Sequence, residues 1–193
     1  MENKEIETFC PASQQDWRRW LQENHVAKIS VWLVYFKKKS NVPTVTYTEA
    51  VDQALCFGWI DSTRKSVDDY TFVQFFCKRK SNSVWSKINK AKVLRLIEEG
   101  LMTKAGLDSV ELAKQNGSWT ILDDVEELVI PVDLAEAFNN QGGSEDYFSG
   151  LSKSVKKSIL QWLVLAKRAE TRQKRITEIV SLAAQKRKPK QFS

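Results

Sequence analysis

Apolar and polar positions alternate in two different ways along this chain, and the change of period near Ser83 divides it into a mixed first half and a helical second half. The first signal is helical. Ser13 and Asp16 form a capping-box-like start, and Trp17, Trp20 and Leu21 recur at one-turn spacing before the pattern fades at Asn24-His25. Ile29 to Phe36 is then β-branched and aromatic throughout, with apolar residues at both alternating sets of positions, which predicts a central strand covered on both faces. Lys37 to Asn41 is a polar turn. Thr46 and Glu49 form a capping box for a helix carrying Ala50, Val51, Ala54 and Leu55, which Gly58 stops. Trp59–Val67 and Tyr70–Cys77 read as two strands joined through Asp68-Asp69, a hairpin.

From Ser83 onward the period is helical. Trp85, Ile88, Val93, Leu96 and Ile97 share one half of a helical wheel, which predicts a helix capped at Ser83 and ended at Glu99-Gly100. Thr103 caps a following helix with Leu107, Val110 and Leu112, closed by Asn116-Gly117. After an acidic stretch, Pro131 opens a short helix with Leu134 and Phe138, and Asn139 to Ser144 is a break. Ser152 precedes Val155, Ile159, Trp162, Leu163 and Ala166 on one helical stripe. Thr171 is the expected cap of a last helix with Ile176, Ile179, Val180 and Ala183, and Lys186 to Lys190 is expected to trail off as a solvated tail.

These elements predict an α+β fold: a small antiparallel or mixed sheet of at least three strands packed with helices, followed by an all-helical C-terminal part. The expected organisation is an α+β domain over 1–117, a connecting segment with short helices over 118–150, and a basic helical module of two helices and a tail over 151–193.

Charge sharpens this division. From Ser152 onward there are 12 Lys/Arg and 2 acidic residues, a net of +10, whereas the rest holds 18 Lys/Arg against 22 acidic residues, a net of −4. Basicity therefore belongs to the C-terminal end, where Lys167, Arg168, Arg172, Lys174 and Arg175 are candidates for nucleic-acid phosphates; the alternative is a solvated helix face. The charged start Met1–Glu5 has no apolar run behind it, so no secretory signal is expected, and the apolar stretches are too short to span a bilayer. Cys10, Cys56 and Cys77 are odd in number and lack CxxC spacing, which predicts neither a disulfide framework nor a metal site and points to a reducing cytoplasm. No cofactor is implied, and oligomeric state is not legible.

The segment Lys78-Arg79-Lys80-Ser81-Asn82-Ser83-Val84-Trp85-Ser86-Lys87-Ile88-Asn89 concentrates candidate chemistry. Three cations end a strand and hydroxyls meet the start of a helix, an arrangement suited to a phosphate or carboxylate. Arg79, Lys80, Ser83, Trp85, Ser86 and Asn89 are the candidate ligand-binding residues, joined by Trp59 and Asp61 from the turn after Gly58. The competing account is an ordinary cap with solvated cations and a core Trp. Asp61 is out of place inside a strand and so calls for a partner, either Arg79 or a substrate for which it acts as general acid or base. Nucleophilic catalysis finds little support, because His25 is the only histidine.

The chain also resembles the YdeI/OmpD-associated, bacteriocin-protection family. The resemblance lies in Trp17 to His25, Val31 to Tyr35, Tyr47 to Asp52, Ala54 to Ser62, Arg79 to Asn89 and Gly100 to Gly106, with Ala166 to Ile176 similar to the family's helical module. It implies a bacterial cytoplasmic protein, and it implies no reaction, cofactor or catalytic residue.

Overall fold

A computed structural model of the chain describes residues 7–192, so the charged start Met1–Glu5 lies outside the described residues. The chain divides into two compact units, residues 1–119 and 120–193.

In the first unit, β1 (Thr8–Phe9), β2 (Ser30–Phe36), β3 (Trp59–Ser66) and β4 (Thr71–Lys78) form one mixed sheet in the order β1-β2-β4-β3. β1 runs parallel to β2, and the other neighbours are antiparallel. The β3–β4 hairpin is closed by the Asp68 carboxylate, which accepts from the backbone N–H groups of Tyr70 and Thr71, both at 2.7 Å. β2 lies inside the sheet as its sequence predicts, yet only one of its faces is buried. Val31, Leu33 and Tyr35 are buried, while Trp32, Val34 and Phe36 are half-exposed, with Trp32 meeting Phe75 edge-on at 4.9 Å. The expectation of cover on both sides is thereby corrected: the helices pack on the Val31/Phe76 face, where Trp17 touches Phe76 at 5.4 Å.

Helix α1 (Gln14–Asn24) is capped by Ser13, whose hydroxyl accepts from the Asp16 N–H, and it places Trp17 and Trp20 in the core. The Trp17 indole N–H reaches the Ala50 carbonyl on α2 (Tyr47–Cys56) at 3.0 Å. The capping box of Thr46 and Glu49 forms as predicted. Helices α3 (Lys87–Glu98) and α4 (Lys104–Gln115) complete the unit. The first turn of α4 lies hard against the end of α2: a Cβ added at Gly106 would come within 2.3 Å of the Cys56 carbonyl oxygen.

Helix α3 begins at Ser86, three residues later than the Ser83 cap expected. The Ser86 hydroxyl accepts from the Asn89 N–H at 3.2 Å, and Ser83 sits in the preceding turn, its N–H on the Lys80 carbonyl. Of the expected apolar stripe, Val93 and Leu96 are buried on α3 and Trp85 is buried just before it, whereas Ile88 and Ile97 face solvent.

The second unit contains α5 (Asp123–Glu126), α6 (Val132–Asn139), α7 (Ser144–Ser149), α8 (Lys153–Val164) and α9 (Ala169–Ala184) around Leu134, Phe138, Phe148, Ile159, Leu163 and Ile176. Helix α9 starts after Arg168, so Thr171 lies in its first turn and is not its cap. The tail is not solvated throughout. Lys186 adopts a left-handed conformation, Arg187 N–H returns to the Leu182 carbonyl, Pro189 is buried, and Phe192 meets Trp162 at 5.8 Å.

Candidate functional site

Arg79 follows the last residue of β4 and is held by its own backbone, whose N–H donates to the Gly58 carbonyl at 2.9 Å. Its guanidinium lies flat over Trp85, 3.6 Å from the ring centroid, and Nη2 donates to the Val84 carbonyl at 2.7 Å. Trp85 is itself buried and packs on Trp119 at 5.0 Å. The remaining nitrogens are unusual: Nε and Nη1 are buried and meet no hydrogen-bond partner among the described residues. Burial pushes this guanidinium down to about 10, against a smaller opposing pull from the Asp61 and Cys77 charges, so it stays cationic at neutral pH.

Arg79 lines a cleft of about 290 Å³. Lys78, His25 and Ser109 supply the other polar groups of its wall, and Phe57 and Gly58 the apolar part. The cleft exists because three chain segments meet without filling the space between them. Gly58 turns the chain from α2 into β3 with φ +70°, and a Cβ there would sit 3.0 Å from the Ala105 carbonyl oxygen on α4. His25 ends α1, where its Nδ1 lies 2.8 Å from the Leu21 carbonyl and its ring lies 5.1 Å from Phe57. The Lys78 ammonium donates to the Val26 carbonyl at 2.7 Å, and the Ser109 hydroxyl donates to Gly106 O at 2.8 Å. Among the described residues no carboxylate lines the cleft.

The other residues singled out from the sequence fall elsewhere. Trp59 is fully buried in the aromatic core, edge-on to Trp20 at 5.8 Å. Asp61 sits on the edge strand at a β-bulge, where the register shifts before Arg64. Its carboxylate accepts from the Tyr47 hydroxyl at 2.8 Å and the Gln74 amide at 3.3 Å, and not from Arg79. Burial, and next the bond and charge of Asp61, push the Tyr47 phenol up to about 12. The Tyr35 hydroxyl nearby is buried without a partner among the described residues, and burial raises it above the ordinary tyrosine range. Lys80 is exposed. Ser86 and Asn89 build the start of α3. The structure therefore brings Arg79 and Trp85 into contact and keeps Asp61 within electrostatic reach, while Lys80 and Ser83 stand in the turn outside. His25, Lys78 and Ser109 were not among the residues marked by sequence. His25, as the single histidine at a helix end, and Lys78, as one of the three cations that end the strand, each carried a signal; Ser109 depends on how α4 packs.

Three of the candidate nucleic-acid cations are engaged within their own unit. Arg172 grips the Asp133 carboxylate through Nε at 2.6 Å and Nη2 at 2.8 Å and holds that carboxyl below its usual range. Arg175 donates to the Trp162 carbonyl and lies 4.7 Å over the same indole. Lys174 pairs with Glu170 at 2.7 Å on the surface, and Lys167 and Arg168 are exposed. Among the described residues no group of three or more His, Cys, Asp or Glu could hold a metal ion, and no helix is long and apolar enough to cross a membrane.

An α+β unit with an arginine-walled cleft, joined to an all-helical unit, is the class of protein these coordinates define. Residues 9–109 match the model of a domain of unknown function, DUF8412, over more than half of the chain, and the chain belongs to that family. Residues 127–186 match the model described as "Bacteriocin-protection, YdeI or OmpD-Associated", in agreement with the resemblance in the sequence. Searches of curated proteins and of solved structures return no match.

Proposed function

We propose that the chain is a binding protein for a small anionic ligand, whose phosphate or carboxylate group rests on Arg79 in the cleft between Gly58 and α4. One observation carries this reading: Arg79, whose Nε and Nη1 are buried and unpartnered among the described residues, lines a cleft in whose wall the described residues place no carboxylate. A desolvated cation without a counter-charge is costly, and a bound anion offsets that cost while supplying the missing acceptors. Lys78 and Ser109 add a positive charge and a hydroxyl to the same wall. The cleft's volume, about 290 Å³, is at the small end for ligand sites and suits a metabolite the size of a sugar phosphate or small carboxylic acid. Three free thiols support a reducing, cytoplasmic setting for this activity.

Titration calorimetry of the full chain against inorganic phosphate, sulfate, small sugar phosphates and small carboxylates tests the proposal. At least one should bind with a dissociation constant below about 1 mM, and Arg79→Met should abolish that binding. Silence across the panel, or affinity indifferent to Arg79→Met, overturns it. Nucleic-acid binding through the C-terminal helices is the less favoured alternative, since Arg172 and Arg175 are already occupied within the unit.

A further inference from the structure

His25 in the same cleft has a fixed tautomer. Its Nδ1 lies 2.8 Å from the Leu21 carbonyl oxygen, which can only accept, so Nδ1 carries a hydrogen. In the neutral ring Nε2 is then an acceptor, with a lone pair and no hydrogen to offer an oxyanion. Protonation converts Nε2 into a charged donor. Among the described residues the cleft wall offers that proton no carboxylate as counter-ion. From β4 and its end come Lys78, with its ammonium on the Val26 carbonyl, and Arg79. Arg18 lies 5.3 Å over the Phe57 ring that His25 also touches, and on α4 the Asp108 carboxylate is joined to Lys104 at 2.6 Å.

We infer that His25 is a pH-responsive third donor of this cleft, beside Arg79 and Lys78, and that it makes capture of a doubly charged oxyanion stronger as the pH falls. This rests on reading the cleft as an anion site. It goes further by assigning His25 a role and by naming the charge class of the ligand, a phosphate- or sulfate-like dianion. The two sides of the linkage support each other: a bound dianion supplies the counter-charge His25 lacks, and a protonated His25 supplies the donor that a neutral ring withholds.

Sulfate is the suitable probe, because it keeps its double charge where inorganic phosphate would itself titrate. Binding is followed by NMR titration of the full chain at constant ionic strength, at about pH 5.5 and about pH 8.5, the window in which imidazole changes charge. The wild type should bind sulfate about tenfold more tightly at the lower pH, the worth of one charge-assisted hydrogen bond in a partly open cleft. In His25→Asn the side-chain amide can still donate to Leu21 O, and asparagine suits a helix end, so the fold is kept. That variant should bind sulfate with an affinity that does not change between the two pH values. A flat wild-type profile, or an equal slope in His25→Asn, overturns the role of His25 while Arg79-dependent binding at the higher pH leaves the anion site standing. Sulfate binding that is absent, or that Arg79→Met does not remove, overturns both.

Discussion

Asp52 and Arg79, two charged side chains of the first unit, are treated by the fold in opposite ways. Asp52 on α2 is only 8% exposed, and Lys92 and Arg95 of α3 both grip its carboxylate, while Arg95 continues to Glu99 at 2.9 Å. Among the described residues Arg79 has no carboxylate in contact. It has a ring beneath it, one carbonyl, and two nitrogens for which the described residues supply no partner. A buried charge that contributes to folding is surrounded by its complement, as Asp52 is and as Arg172 is with Asp133. Arg79 is a buried charge whose complement the described residues do not supply. The same residue chemistry thus builds a joint between two helices in one place and, on the reading proposed above, the wall of an anion site in the other.

The sharpest way to test this contrast is to remove the paired charge. Asp52→Ala leaves the Lys92 ammonium, 19% exposed, without its counter-ion, whereas Arg95 is nearly half exposed and keeps Glu99. The expected loss is about 3 kcal/mol, the lower end of what breaking a buried pair costs. Urea denaturation measures it, and Asp52→Ala combined with Lys92→Met should recover part of the loss. A decrease well under 1 kcal/mol in the single variant would mean that the pair is solvated and joins nothing.

Arg79→Met examines the other side. Truncation forfeits the stacking on Trp85 and the bond to Val84, but it also removes a desolvated cation, so stability should stay within about 1 kcal/mol of wild type although binding is lost. Should Arg79→Met instead unfold as readily as Asp52→Ala, Arg79 would be a structural cation and the contrast would vanish.

Much of the frame was legible in the sequence because local rules and tertiary packing agree there. Thr46 and Glu49 cap α2, Asp68 closes the hairpin, and Ser13, Thr103 and Ser152 cap their helices as read. Where several residues offer the same local chemistry, tertiary contacts decide. Ser83 and Ser86 can both cap, and the later one does, which leaves Trp85 outside the helix and under Arg79. The tail read as solvated from its cations because the apolar Pro189 and Phe192 are too few to show a period. The sequence marked Arg79 and Trp85 by their motif, and Asp61 by its oddity in a strand. It had no means of showing that Asp61 would be served by Tyr47, fourteen positions away, or that Lys78 and Ser109 would share a wall with His25. Those neighbours follow from a register and from the close approach of α4 to Cys56.

Tyr47 gives the smallest and most specific test, because its bond to Asp61 explains why that carboxylate is not the counter-ion of Arg79. The phenol holds its proton more tightly in the folded chain, at about 12, than in the unfolded chain, near the ordinary value of about 10. Its stabilising contribution is therefore complete below about pH 10 and is lost as the pH rises from there through about 12. Tyr47 is half exposed, so Tyr47→Phe should cost no more than about 0.5–1 kcal/mol at neutral pH. The decisive quantity is the gap between wild type and variant, since Tyr35, pushed up still further by burial, titrates in both. That gap, read from urea midpoints at about pH 8 and about pH 11.5, should narrow at the alkaline end. A gap that stays constant would mean that Tyr47 does not hold Asp61 in solution, and the carboxylate would then be free to turn toward Arg79 and supply the charge its cleft lacks.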